Sequence, residues 1–307
     1  MALTLVEAAK RSQNPIQSAV VQMYAENSDI LRVLPFNTIA GNALRYNREE
    51  TLPGVGFRGI NEAYTESTGI INPIVEPLVI AGGDLDVDMF ILRTMGMDQR
   101  SAQEAMKVKS LALAWTAQFI NGDSTTDPRG FDGLFSRVTG TQLLDNTGGA
   151  GGALSMFNLD RLIDTVDNPT HLIMNKQMRR RLTVAGRTAA LSGNIQWEKD
   201  EFGRQVAMYN DLPILIADYD NDGTQIMQFN EPSVTGAGND CTSIYCISVG
   251  NNMLGGIQNG TIDVRDMGEL ETRPVMRTRV ARYSGIACFH GRAIGRLGSI
   301  TDAAVGA

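Results

Sequence analysis

Gly54, Gly56 and Gly59 stand at G-x-G-x-x-G spacing within "LPGVGFRGINEAYTE". Glycines at that spacing close a strand-to-helix turn whose backbone N–H groups face a pyrophosphate. The chemistry requires a buried apolar strand before the turn and a helix after it. The preceding "RYNREETLP" is charged and ends in Pro53, whereas a parallel strand is continuously apolar. The following "INEAYTESTGIINP" offers Ile60, Ala63 and Tyr64 before Gly69 and Pro73 intervene, room for about two helical turns. The stretch therefore reads as a glycine-rich extended hairpin. A nucleotide-binding enzyme built on Gly54, Gly56 and Gly59 is the alternative from another functional class.

Other residues with chemical potential are weaker still. Asp218, Asp220, Asp222 and Gly223 match the first half of a calcium loop, but the twelfth position, which should supply a bidentate glutamate, is Phe229. An acidic turn between two strands fits better. The two histidines are His171 and His290, and His171 lies inside the apolar run "THLIM", as a hydrogen-bonded core histidine would. Cys241 and Cys246 lack the paired spacing and downstream histidines of zinc sites, and Cys288 stands apart; buried free thiols are expected. Neither G-x-x-x-x-G-K-[ST] nor G-x-S-x-G occurs. The expectation is no catalytic residue, no metal and no cofactor.

The formal net charge of -7 over 307 residues argues against broad gripping of a nucleic-acid backbone, which needs clustered Lys and Arg. Arginine dominates the cations, with 22 Arg to 5 Lys, and guanidinium suits fixed bidentate contacts with carboxylates at interfaces. The two basic clusters are Arg179, Arg180 and Arg181, and Arg273, Arg277, Arg279 and Arg282. They are expected to pair with acids such as Asp84, Asp86, Asp88, Glu269 and Glu271. Few cysteines, in odd number, suit a reducing compartment. No segment approaches the ~20 apolar residues of a membrane span, and no leader pattern opens the chain, so synthesis in a host cytoplasm is expected.

The elements that would position these residues follow a definite order. Residues 1–38 read as an arm of two amphipathic pieces broken at Pro15 and ended at Pro35, whose apolar stripes are expected to lack a partner in the same chain and to be covered by a neighbouring copy. Residues 39–72 are glycine-dotted and charged, with Leu44 and Tyr46 alternating against Arg45 and Asn47 in strand fashion. A two-stranded hairpin is marginal in water alone, so it needs another surface, which a neighbouring copy can supply. "INPIVEPLVIAGGDLDVD" is an extended edge segment confined by Pro73 and Pro77. From Asp98, a candidate N-cap, a long helix over 98–120 puts Ala102, Ala105, Met106, Ala112, Leu113, Phe119 and Ile120 on one side, and Gly122 closes it. Beyond the flexible "NTGGAGGALS", the pieces "NLDRLIDTVD", "THLIMN" and "KQMRRRLTVAGR" read as helix, strand and helix with Asn158 and Asn175 as caps. "NIQWEKDEFGRQVAMYN" reads as a hairpin turning near Phe202, and "LPILIADYD" and "TSIYCISVG" as strands. The late run from Gly260 is extended and returns to the long helix.

In that order the arm, the charged hairpin, the proline-bearing edge, the long helix, "FDGLFSRV", the α/β unit and the long final strand resemble tailed-phage major capsid proteins of the Hong Kong 97 type, over nearly the whole chain. The resemblance implies an α+β fold with an N-terminal arm at 1–38, an extended loop at 39–72 and a peripheral domain at 73–140 and 255–285 with its spine helix at 98–120. It implies an axial domain at 141–254 and 286–307. It further implies a structural protein, not an enzyme, forming homo-oligomeric hexamers and pentamers of an icosahedral shell around double-stranded DNA in the virion. Its partners would be a portal protein, possible scaffold and decoration proteins, packaged DNA by proximity only, and no membrane. A member that cross-links covalently uses a lysine in the extended loop; this loop has none, and no such isopeptide bond is expected. A long charged helical segment preceding the arm, which some members carry as internal scaffold, is also missing here, so any scaffold would be separate or already removed.

The expected inter-subunit contacts are Arg45, Arg48, Glu49, Arg58, Glu62, Arg277 and Arg279, and Arg58→Glu is expected to impair assembly while leaving the subunit folded. An encapsulin-like bacterial compartment, which resembles the same fold, is the nearest alternative.

Overall fold

The computed structural model describes residues 28–95, 98–187, 195–199, 205–250 and 252–306. Both amphipathic pieces of the arm up to residue 27, and the turn expected near Phe202, lie outside the described residues.

The described chain opens with helix α1 (Asp29–Val33) and strand β1 (Phe36–Thr38), followed by a hairpin of β2 (Ala43–Thr51) and β3 (Ile70–Pro77). Strand β4 (Val79–Asp88), α2 (Met89–Met95), the long α3 (Asp98–Asn121) and the single turn α4 (Leu134–Arg137) come next. Then follow β5 (Leu143–Asp145), α5 (Met156–Thr165), β6 (His171–Met174), α6 (Lys176–Ala185), β7 (Ile195–Lys199), β8 (Gln205–Tyr209) and β9 (Leu212–Ile216). The last five strands are β10 (Thr242–Ile247), β11 (Leu254–Gln258), β12 (Asp263–Glu269), β13 (Val275–Cys288) and β14 (Ile294–Ile300).

These strands form three sheets. β13 is the axis of a five-stranded sheet: β4 runs antiparallel along one edge, and β12 then β11 pair with the other. β1 adds to β11 in parallel, Phe36 opposite Gly256. That pairing demands a glycine, because a Cβ on residue 256 would sit 2.4 Å from the Phe36 ring. The seven-stranded sheet runs β5-β14-β10-β6-β9-β8-β7. Its β8–β9 turn places Asn210 and Asp211 both at positive φ (48° and 64°), the conformation that twist-matched two-residue hairpins require and that Asn and Asp tolerate. The third sheet is the two-stranded β2–β3 hairpin. The edge segment expected from Ile71 to Asp88 is thus divided, its first half pairing within the hairpin and its second half with β13.

Helix α3 lies against the five-stranded sheet. Its buried residues among those described are Arg100, Val108, Leu111, Ala112, Trp115, Thr116, Phe119 and Ile120. The expected stripe is therefore corrected: Ala102 and Met106 are exposed, and at 100° per residue the buried arc is centred more than a third of a turn from Met106. Trp115 is the centre of the packing. It stacks near Phe119 (5.3 Å between ring centroids), tilts against Phe36 and Phe131, and donates Nε1–H to Ser284 Oγ on β13 at 3.1 Å. Gly122 ends the helix where Phe131 crosses it; a Cβ there would meet the Phe131 carbonyl at 2.3 Å. The capping role expected of Asp98 lies outside the described side chains.

The end of the arm also corrects an expectation. Ile30, Leu31, Leu34 and Phe36 are buried in the chain's own core beside α3, with Ser28 and Thr116 sharing a 2.8 Å hydrogen bond. Their apolar faces need no neighbour. In the α/β part, the N-cap of α5 is Ser155 rather than Asn158, whose amide instead donates to the Asn146 carbonyl at 2.6 Å. Asn175 does cap α6, accepting from Met178 N at 2.7 Å. Leu159, Leu162, Met178 and Leu182 carry these helices onto the seven-stranded sheet.

On the outward face of the five-stranded sheet, cross-strand register sets Arg277 opposite Asp86 and Arg279 opposite Asp84. Both pairs are bidentate, at 2.6–2.7 Å and 2.7–2.9 Å. The hydrogen bonds from Arg279 and Arg277 hold the Asp84 and Asp86 carboxyls below the usual carboxylate range. The unfolded chain then binds more protons than the folded one in acid. Stability from this ladder is present above the unfolded carboxylate value of about 3.9 and is lost as pH falls through the lower folded values. Asp84→Asn with Asp86→Asn should therefore flatten the acid limb of the stability-versus-pH curve, and an unchanged limb would refute the role of the ladder.

Candidate assembly surface

Between Thr51 and Ile70 the hairpin continues as a long loop without regular secondary structure. Its tip is a self-contained turn. Gly59 N donates to Glu62 Oε2 at 2.8 Å, Asn61 adopts φ 68°, and Arg58 Nη1 donates to the Glu62 carbonyl at 3.2 Å while its guanidinium lies 4.9 Å from the Tyr64 ring centroid. Lower down, Ser67 Oγ donates to the Gly54 carbonyl at 2.8 Å. The loop thus satisfies polar groups internally and turns its apolar side chains outward: Val55 is 90% exposed, Phe57 103% and Ile60 94%. Leu52, Tyr64, Ile70 and Ile71 are exposed as well. Each such side chain gains about 1.5–3 kcal/mol on full burial, so this patch favours a covering partner.

The three glycines of the nucleotide fingerprint all fall in this loop. The strand before them belongs to a two-stranded antiparallel hairpin, and a turn at Ile60 and Asn61, not a helix, follows Gly59. No helix N-terminus faces a phosphate here, and the nucleotide-enzyme reading is corrected on that ground.

The base of the hairpin is fastened to the body by a polar clamp. Glu76, buried on β3, receives Arg137 from α4 through two charge-assisted hydrogen bonds, at 2.5 and 2.7 Å. Tyr46 on β2 donates to the Cys288 carbonyl at 2.8 Å, and its ring lies 4.8 Å from Phe289. Burial pushes the Tyr46 phenol well above its ordinary pKa. The sequence reading missed this trio. Its signal was a lone acid inside the apolar run "PIVEPLVI" and a lone arginine in "LFSRV", opposite charges that burial forces to meet.

The residues expected at inter-subunit contacts separate into groups. Arg58 and Glu62 form the tip turn, whereas Arg45, Arg48 and Glu49 lie along β2. Arg277 and Arg279 lie away from them, in the intramolecular ladder with Asp84 and Asp86. Of the other basic residues, Arg181 pairs with Asp302 rather than with the acids expected, and Arg282 is buried with its guanidinium 4.5 Å from the Phe36 ring centroid.

The remaining chemical candidates resolve into structure. The Asp220 carboxylate accepts from Asp222 N and Thr224 N, closing the acidic turn, while Asp218 pairs with Lys176. His171 is half-buried in β6, its Nδ1 2.9 Å from Thr170 Oγ1. Cys241, Cys246 and Cys288 are free and buried, and burial pushes the Cys246 thiol up to about 12.

No protein-family model and no curated protein sequence matches the chain. Solved structures do match. The holo-SrpI encapsulin complex from Synechococcus elongatus is similar at TM-score 0.65 and 17% identity, covering 91% of this chain and 89% of that one. The capsid of a native GTA particle gives TM-score 0.64 at 17% identity, covering 90% and 91%. A chain from Mycobacterium phage Adephagia gives 0.63 at 10% identity, covering 91% and 90%. The polypeptide has the mixed α+β fold of Hong Kong 97-type capsid proteins over about nine tenths of its length.

Proposed function

We propose that this chain is a shell-building structural protein, the major capsid protein of a tailed phage, with no catalytic activity of its own. One observation carries the proposal: a subunit with its core completed internally extends a loop whose apolar residues are almost wholly exposed. Ring-forming contacts between identical copies cover such a loop without adding any other component. In this reading the five-stranded sheet with α3 is the peripheral domain and the seven-stranded sheet the axial domain. Copies close as hexamers and pentamers into an icosahedral shell around double-stranded DNA, and the acidic net charge of -7 avoids immobilising that DNA. A portal, and scaffold or decoration proteins where present, would complete the virion.

A second reading is favoured by the match to an encapsulin complex: a compartment shell that encloses protein cargo. Electron microscopy of particles from the expressed chain, with their nucleic-acid content measured, tests both. Closed shells support shell building, DNA within particles from the native source favours the phage reading, and a chain that stays monomeric at high concentration refutes both.

A further inference from the structure

Beneath the clamp lies a cavity of about 460 Å³ whose walls come from both sides of the hairpin base. Arg48, Ile74 and Glu76 belong to the hairpin; Arg137, Thr139, Thr141, Gln142 and Arg292 belong to the body. Three guanidiniums thus face one carboxylate, and that carboxylate is already committed to Arg137 through both of its oxygens. Among the described side chains the Arg48 guanidinium has no hydrogen-bond or ion-pair partner. Arg292 is about half exposed; its Nε donates to the Thr165 carbonyl at 3.3 Å and its Nη1 lies 3.5 Å from Asp167. Thr139 and Thr141 add hydroxyls at the mouth. The lining is rich in donors and positive, the arrangement that recognises a multivalent oxyanion. Among the described residues one acceptor of the lining is left over: Gln142 Oε1 is buried and accepts no hydrogen bond. Sulfate has no proton to give it, whereas hydrogen phosphate has a P–OH.

We propose that this cavity is a binding site for the hydrogen phosphate ion, held by Arg48, Arg137 and Arg292 with its P–OH donating to Gln142. Because Arg48 rides on β2 and the other ligands on the body, the bound ion ties the hairpin to the body at a fixed angle. The cavity exceeds the ion's volume, and water completes its shell.

The test is calorimetric titration of the purified full chain with inorganic phosphate, sulfate and a nucleoside monophosphate, at matched ionic strength and pH 7.5. Phosphate should bind to one site, with sulfate and the ester weaker. Arg48→Gln should weaken phosphate by at least about tenfold, as expected for a lost charge-assisted hydrogen bond. Arg161→Gln, an equal charge change on the exposed face of α5, should leave binding unaltered. Absence of phosphate binding, equal binding of sulfate, or equal losses in the two variants would overturn the proposal.

Discussion

Replacing Arg137 with methionine should destabilise the purified chain by about 3–5 kcal/mol, because removal of one partner leaves a buried charge uncompensated. Both side chains are well shielded, Arg137 at 15% exposure and Glu76 at 9%, so solvent screening does not reduce the effect to that of a surface pair. Urea unfolding with an unchanged slope gives the difference directly. The companion change Glu76→Gln should restore much of the loss in the double variant, since two neutral groups no longer leave a bare carboxylate. A loss below about 1 kcal/mol, or a double variant no better than the single, would contradict a buried pair at the hairpin base.

The second large effect lies at the other end of the hairpin and leaves the subunit intact. Phe57→Ser with Ile60→Ser should alter unfolding free energy by no more than about 0.5 kcal/mol, because both side chains already face solvent in the isolated subunit. Assembly should nonetheless fail. A buried aromatic anchor at an interface is worth about 2–4 kcal/mol, roughly 30- to 700-fold in each pairwise association constant, and a closed shell repeats that loss at every contact. Sucrose-gradient sedimentation would show folded subunits at the top of the gradient. Normal particle yield would mean that the loop tip is not an assembly contact.

Much of this was legible in the sequence because it depends on local pattern. The charged, glycine-dotted stretch gave the hairpin; Pro73 and Pro77 kept its second strand from a sheet interior; Asn175 announced the start of α6. What the pattern could not supply was which surface an element meets. Ala102 and Met106 are apolar in type, yet they stand on the part of α3 turned from the sheet, while Val108 and Trp115 face it. Ile30, Leu31 and Leu34 looked like a stripe awaiting a neighbour and found α3 of the same chain instead. The clamp of Tyr46, Glu76 and Arg137 joins residues up to 91 positions apart, and single-sequence periodicity carries no information at such range. Pairing of guanidinium with carboxylate was predictable in kind, and for Arg277 and Arg279 the cross-strand register chose the partners; for Arg181 a residue near the C-terminus did.

The pairing of β1 with β11 bears on biosynthesis. Phe36 leaves the ribosome 220 residues before Gly256, its partner in the strand it must join. Until then Leu31, Leu34 and Phe36 have no completed sheet to lie against, so the nascent chain carries a sticky segment over that whole interval. Truncated products ending before residue 254 should consequently be chaperone clients or aggregates, which would keep unfinished chains out of the assembly proposed above.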